Sequence, residues 1–542
     1  MLLSTFVTRH STFDIRHLMS SSYRFGPFSV DRTRYSVQKG ANPVELTPKL
    51  LDLLIHLLDH AGELVTKEAL LDALWPSANV TDNALAQAVS ELRRALGDDA
   101  GAPHFIKTIA RRGYRFIGPV QVIRAGAALA GEADAPGAQS IPATPVADDL
   151  GLPRPLRGPA RAARETPSLA AYRGVSEGWM RLESLDVREI PRAVADFERA
   201  VEADPRYALA YTGLASAELA LYETTRSDNE PANAFLSRAV EHARYAVQLD
   251  DRSAEAHATL AHVLVSRWET VEAGAAARTA VSLEPSNWRH LFRLSHASWG
   301  NERLDAARGT LALYPDFAFA HFQMAMVHVA RGHLVDAESV LRQGAAVQDR
   351  LIGRGGRYPA LGLHWLLGLV RMADDDLDEA LDQFDQELRL AEPHRLYGRE
   401  YAMYALHGRG AALLEAGRSA EAVESFQGAL KMYPDHAPSH LGLALSLQAH
   451  PAAGDSAHAF RRVGEAIESL TRARPIEAAM VRAQLLVATG DHEEAVAALD
   501  TLLGTAPPGF AAWTLGVEPL LRQLHEDDGF ARILGALAGR AT

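Results

Sequence analysis

Asn83, Gln87, Ser90 and Arg94 fall at i, i+4, i+7 and i+11. On a helix that advances about 100° per residue they form one outward row, with Arg93 on its flank. The row is short, polar and almost free of acid, unlike an ordinary solvated face laced with Glu and Lys. Asparagine and glutamine each pair twice with an adenine edge, and arginine pairs with guanine or with phosphate. Such a row suits a helix lying in the major groove of double-stranded DNA. Lys107, Thr108, Arg111, Arg112 and Tyr114 follow close behind, and basic side chains at the tip of a turn reach phosphate or a minor groove. The reading assigns base contacts to Asn83, Gln87 and Ser90. It gives phosphate contacts to Arg93, Arg94, Lys107 and Thr108, with Arg111 and Arg112 acting from the turn and Tyr114 half structural.

The elements that position these residues are legible around them. Thr81 stands where a helix N-cap belongs, and Leu85, Val89, Leu92 and Leu96 form the opposite, apolar stripe. Phe105–Ile109 and Tyr114–Ile117 read as two extended runs joined by Arg111-Arg112-Gly113, a basic hairpin. A helix followed at once by such a hairpin is a winged helix. Upstream, Leu50, Leu51, Leu54, Leu57 and Leu58 mark one helix and Leu70, Leu71 and Leu74 another, ended at Trp75-Pro76. Short alternating runs over 23–46 predict a small antiparallel sheet ahead of them.

Three segments, LTPKLLDLLIHLLDHAGELVTKEALLDALWP, VTDNALAQAVSELRRALGDD and IKTIARRGYRF, resemble the OmpR/PhoB-type winged-helix domain, most closely its ToxR/CadC/HilA-like branch, in order and spacing. The resemblance implies a transcriptional regulator that binds promoter DNA, a 75–80 loop placed as in relatives that touch RNA polymerase, and a head of a type that often binds DNA in pairs, which leaves the oligomeric state of this chain open. Asn83 and Gln87 depart from the polar or basic residues other members use there, so no operator sequence carries over. About 20 residues precede the head, too few for a receiver domain and its aspartyl-phosphate switch.

From about residue 167 the chain repeats with a period near 34 residues. The pattern is clearest in Ala193–Phe197–Ala200–Pro205, Ala273–Ala277–Ala280–Pro285 and Ala422–Phe426–Ala429–Pro434, with irregular units near 286–315 and 437–474. It resembles the tetratricopeptide repeat, which implies paired helices stacked into a solenoid with a concave face. About nine units fit before residue 508. On that register Phe319, Phe322, Met326, Trp365, Met372, Tyr404 and His407 line the concave side. An aromatic, methionine-bearing stripe suits an apolar or extended peptide or protein partner. Packing against a neighbouring repeat, or against a terminal helix folded into the groove, is the favoured use for most of these side chains.

The fold class is therefore mainly α: an α+β winged helix-turn-helix, a flexible linker, then an α-α solenoid. The expected boundaries are a disordered leader over 1–22, the winged helix over 23–120, an Ala/Gly/Pro-rich linker over 121–166, repeats over 167–508 and capping helices over 509–542. Met19 is an alternative start to Met1.

Composition narrows the function. There is no cysteine among 542 residues, which excludes disulfide frameworks and thiolate metal sites and fits a reducing compartment. No run approaches a membrane span and the start lacks a signal-peptide core, which places the protein in the cytoplasm with no membrane partner. The net charge of −13 argues against indiscriminate coating of nucleic acid. Residues 19–123 hold 12 basic against 11 acidic side chains, so positive charge is concentrated rather than abundant. The 22 histidines show no metal-ligand spacing, so neither metal nor cofactor is expected. The acidic run Asp374–Glu379 lacks a calcium loop's glycine, and Gly353–Arg357 lacks the Walker residues. No catalytic constellation is found, and the protein is read as no enzyme. The rival reading is an interaction scaffold in which the repeats dominate and the winged helix is not a specific DNA reader.

Overall fold

A computed structural model describes residues 21–31, 36–40, 42–44, 46, 48–67, 69–70, 82–99, 101–109, 112–124, 166, 168–228, 230–352, 360–507, 509 and 511–542. Thr81, Trp75, Pro76, Leu71, Leu74, Arg111, the 75–80 loop, Gly353–Arg357, residues 1–20 and most of the expected linker (125–165) lie outside them. The chain divides into two compact units, Met1–Arg157 and Gly158–Thr542.

In the first unit, β1 (Ser21–Phe25), β2 (Phe28–Asp31), β3 (Ser36–Lys39) and β4 (Asn42–Val44) form an antiparallel meander, and β8 (Gln121–Arg124) pairs with the free edge of β1. Composition alone put 121–124 in the linker and Ser21 and Ser22 in the leader. Both belong to this sheet, because Ser22 pairs with Ile123 and Tyr23 with Val122. The helices α1 (Pro48–Asp59) and α2 (Asp82–Leu96) follow, and β5 (Val65–Thr66), β6 (Ile106–Ile109) and β7 (Gly113–Phe116) make a second sheet in the order β5-β7-β6. Phe25, Phe28, Phe105 and Phe116 meet in the core, Phe25 edge-on to Phe116 at 5.1 Å and stacked on Phe28 at 5.3 Å. Gly113 is needed where β7 crosses β5: a Cβ there would stand 2.0 Å from the Val65 carbonyl oxygen.

The second unit is a solenoid of nine antiparallel helix pairs among the described residues, from Leu169–Leu182 with Ile190–Ala203 to Pro475–Thr489 with His492–Thr505. The repeat signature has a direct packing cause. Phe197, Phe384 and Phe426 are fully buried, and each is clasped between two glycines: Gly178 and Gly213, Gly368 and Gly408, Gly410 and Gly442. A phenyl ring fills the space that two Cβ atoms would otherwise occupy, so successive pairs close to ring-thickness separation. The irregular units are a short helix (Trp288–Ala297) joined to the next through Gly300 at φ +62°, and a 3-10 turn (Pro451–Ala453) inserted before Ser456–Ala473.

The curvature brings distant pairs together. The Val187 amide donates to His394 O at 2.9 Å and the Leu396 amide to Leu185 O at 2.7 Å. Arg226 pairs with Glu223 at 2.6 Å and, across the ring, with Glu400 at 2.8 Å. No helix among the described residues is long and apolar enough to cross a membrane.

Replacing Gly213 with alanine drives a Cβ to 2.1 Å from the Phe197 ring. Overpacking of this kind costs about 1–3 kcal/mol. Gly464, mid-helix with nothing within 4 Å of its would-be Cβ, is the contrast, since Gly→Ala there gains about 0.5–1 kcal/mol. Thermal unfolding of the full chain should show a lowered Tm for Gly213→Ala and an unchanged or raised one for Gly464→Ala.

Candidate nucleic-acid interface

The helix α2 buries Leu85, Val89, Leu92 and Leu96, each at most 2% exposed, as its sequence period requires. Ser90 and Arg94 are exposed on the opposite side, and the helix backbone carries Asn83 and Gln87, whose side chains lie outside the description. Gly97 at φ +67° ends the helix in a left-handed turn, with the Asp98 amide donating back to Arg93 O at 2.8 Å.

Arg93 is a correction. It is 9% exposed, and its guanidinium donates to Ile106 O at 2.7 Å and to Thr108 Oγ1 at 2.8 Å. It ties α2 to the wing instead of facing a phosphate, and Thr108, though exposed, is its acceptor. The sequence reading missed the partner of this tie. The Asp98 carboxylate accepts from the amides of His104 (2.6 Å), Phe105 (3.1 Å) and Ile106 (2.8 Å) and is fully buried. An acid directly after a helix-ending glycine and a few residues before a strand was the available signal.

In the wing, Thr108 pairs with Tyr114 and Lys107 with Arg115. Tyr114 is 5% exposed and belongs to the core beside Val65, which accounts for the structural half of its expected role. Lys107 and Arg112 are exposed, and with Arg94 they form no ion pair among the described residues. Of the residues expected to meet a ligand, Ser90 and Arg94 on α2 and Lys107 and Arg112 in the wing are thus exposed, on a domain of nearly balanced charge.

The family "Transcriptional regulatory protein, C terminal" matches residues 41–116, and "Tetratricopeptide repeat" matches 183–227, 407–465 and 452–510. The chain joins an OmpR/PhoB-type winged helix to tetratricopeptide repeats. The transcriptional activator CadC of Escherichia coli is 34% identical over 98 residues, 18% of this chain and 19% of CadC. The regulator HilA of Salmonella typhimurium is 38% identical over 88 residues, 16% of each chain. The likeness thus spans under a fifth of either relative and falls on the winged helix. Among solved structures, the Klebsiella pneumoniae RstA DNA-binding domain in complex with RstA box is 33% identical, covering 18% of this chain and 96% of that one, with a TM-score of 0.17.

The aromatic stripe expected to line the concave side is covered by the chain's own C-terminal segment. Phe319, Phe322 and Met326 lie on Ala318–Ala330, Trp365 and Met372 on Leu363–Ala373, and Tyr404 and His407 on Gly398–Glu415. Trp513 stands edge-on to both Phe322 and Trp365 at 6.4 Å, and Trp365 stacks on Tyr404 at 5.3 Å. Val517 shares a core with Phe322 and Leu366, while Arg522 pairs with Asp375 and Glu415 at the ends of two of these helices. Met372 and His407 are themselves buried, and burial pulls the His407 imidazole down to about 4. These side chains pack both against neighbouring repeats, as Phe319 does on Phe292 and Trp365 on Tyr401, and against the folded-in C-terminal segment.

Asp98→Ala should leave the three amides of 104–106, at the entry to β6, without an acceptor, a loss on the order of 3 kcal/mol at a charge-assisted site. Hydrogen exchange of the full chain should show lost protection at 104–106, whereas Asp99→Ala should not. The plug carries its own pH dependence. Burial pushes the Glu518 carboxyl up to about 7. A raised acid stabilises the docked state below its unfolded value near 4.5, and that stability is lost as pH rises through 7. Exchange protection of 513–524 should fall across that window, and Glu518→Gln should flatten the fall.

Proposed function

We propose that the chain is a sequence-specific transcriptional regulator whose winged helix binds promoter DNA. On this reading α2 enters the major groove, Asn83, Gln87 and Ser90 read base edges, and Arg94, Lys107, Arg111 and Arg112 engage phosphates. The observation that carries it is the exposure of Arg94, Lys107 and Arg112, none of which forms an ion pair among the described residues, on a domain whose 12 basic and 11 acidic side chains nearly cancel. A cation held by no internal carboxylate keeps its full affinity for phosphate, and counterion release then makes binding salt-dependent. The relatives' printed roles, an activator and a regulator of transcription, support the same reading. The tetratricopeptide array is the docking or sensing module, and it addresses partners through its outer surface or by exchange with the segment at 513–524.

Binding of the full chain to its own upstream DNA should weaken steeply with salt. An Arg94→Ala/Arg112→Ala double variant should lose on the order of 2 kcal/mol, and its log–log salt slope should flatten by about two phosphate contacts. Equal affinity of variant and wild type would instead favour the scaffold reading.

A further inference from the structure

The turn between the helices Ala318–Ala330 and Leu334–Ile352 gathers two imidazoles and a carboxylate that are scattered in sequence as His-x4-His-x2-Asp. His328 sits in the last turn of the first helix, His333 at the end of the connection and Asp336 in the first turn of the second. Gly332, at φ +71°, reverses the chain between them, and the His333 amide donates to His328 O at 2.9 Å. Asp336 Oδ2 lies 3.9 Å from His328 Nδ1 and 3.8 Å from His333 Nδ1, and one ligand atom from each residue falls within 4.8 Å of the other two.

These separations exceed hydrogen bonds, so the three groups point at a common space without satisfying one another. His328 Nδ1 is buried and has no hydrogen-bond partner, and only 12% of its side chain is exposed. A buried ring nitrogen left unpaired is costly, and a metal ion is one partner that would satisfy it.

We propose that His328, His333 and Asp336 bind a divalent transition-metal ion, with zinc as the fitting member of the class. Zinc holds nitrogen and oxygen ligands at about 2.0–2.2 Å, which in a tetrahedron sets neighbouring ligands ~3.4 Å apart. His333 and Asp336, 56% and 63% exposed, have the freedom to close that small difference by side-chain rotation. Two imidazoles and a single carboxylate select against calcium and magnesium, which require an oxygen shell. Three protein ligands leave a fourth position for water or a partner's side chain. Burial keeps His328 neutral, the form that ligates, although Asp336 opposes this and Arg331, His333 and Arg308 reinforce it. Of those cations, Arg331 is drawn away by the Ala541 carbonyl at 2.6 Å and Asn301 at 2.9 Å, and Arg308 by Asp305 at 3.2 Å. The site therefore lies on the same turn that fastens the C-terminal helix (Asp528–Arg540) to the solenoid.

The test is calorimetric titration of the full, untagged chain with zinc, with magnesium in parallel and Co2+ absorption as a report on geometry. The expected result is about one zinc per chain and no magnesium uptake. His333→Ala and Asp336→Asn should each weaken zinc by more than about tenfold, since losing a ligand exceeds the loss of a ligand's hydrogen-bond partner. Both positions are exposed, so the metal-free Tm should stay at the wild-type value while the zinc-induced rise in Tm disappears. A wild-type chain that takes up no zinc at millimolar concentration overturns the proposal, as do variants that bind with unchanged affinity and stoichiometry. The outcome is independent of whether the winged helix binds DNA.

Discussion

The placement of α2 against the wing depends on one reciprocal tie between them. Helix α2 has a polar face, so only its apolar stripe and its ends can fix its rotation. The stripe sets which side turns outward, but a row of leucines tolerates sliding along the axis. Arg93 and Asp98 remove that freedom: the guanidinium reaches forward to Ile106 and Thr108, and the carboxylate collects the amides of 104–106. Each charge is buried with hydrogen-bonding partners, so removing either side of the tie would leave an uncompensated buried group, a costly state. With the tie in place, Arg94 and Lys107 hold a defined spacing across two elements, which a flexible pair of cationic segments would not.

The solenoid solves a different problem by a different means. Stacked helix pairs need close approach, and here a buried phenyl ring between two glycines sets the distance three times over. Such a contact is rigid in one direction only, since it fixes separation but allows each pair to rotate slightly relative to the last. The accumulated rotation carries the first two pairs round to the seventh, where Arg226 bridges Glu223 and Glu400. Closure therefore follows from local packing, and the ion pairs record where the curve meets itself.

Much of this is legible in the residues, and the gaps have physical causes. The apolar stripe of α2, the hairpin and the 34-residue period are local patterns, fixed by neighbours a few positions away. Adjacent arginines are a different matter: Arg93 and Arg94 are chemically identical and about 100° apart on the helix, so one turns in to a carbonyl and the other out to solvent. Only the position of β6 separates them. Tyr114 is similar, since strand alternation leaves its side undecided until Val65 is placed beside it. The strand β8 escaped because its composition is that of the linker it precedes, and its pairing partner lies about a hundred residues earlier. Asn83, Gln87 and Arg111 stand in the row by sequence alone.

The concave face shows the strongest non-local effect. Phe319, Phe322, Trp365 and Tyr404 have the composition of a peptide groove, and nothing within their own repeats says what fills it. Apolar aromatic surface on this scale is unfavourable in water, so a chain that exposes it must supply a cover or a partner. This chain supplies Trp513, Val517, Leu521 and Leu524 from its own C-terminal region, anchored at the rim by Arg522. An intramolecular cover acts at a high effective concentration, so an external peptide competing for the same face must bind correspondingly more tightly. Glu518 lies in the middle of that cover and is the carboxyl whose ionisation burial opposes most visibly there. The face is therefore a site whose occupant is already chosen, and access to it is governed by how firmly that occupant is held.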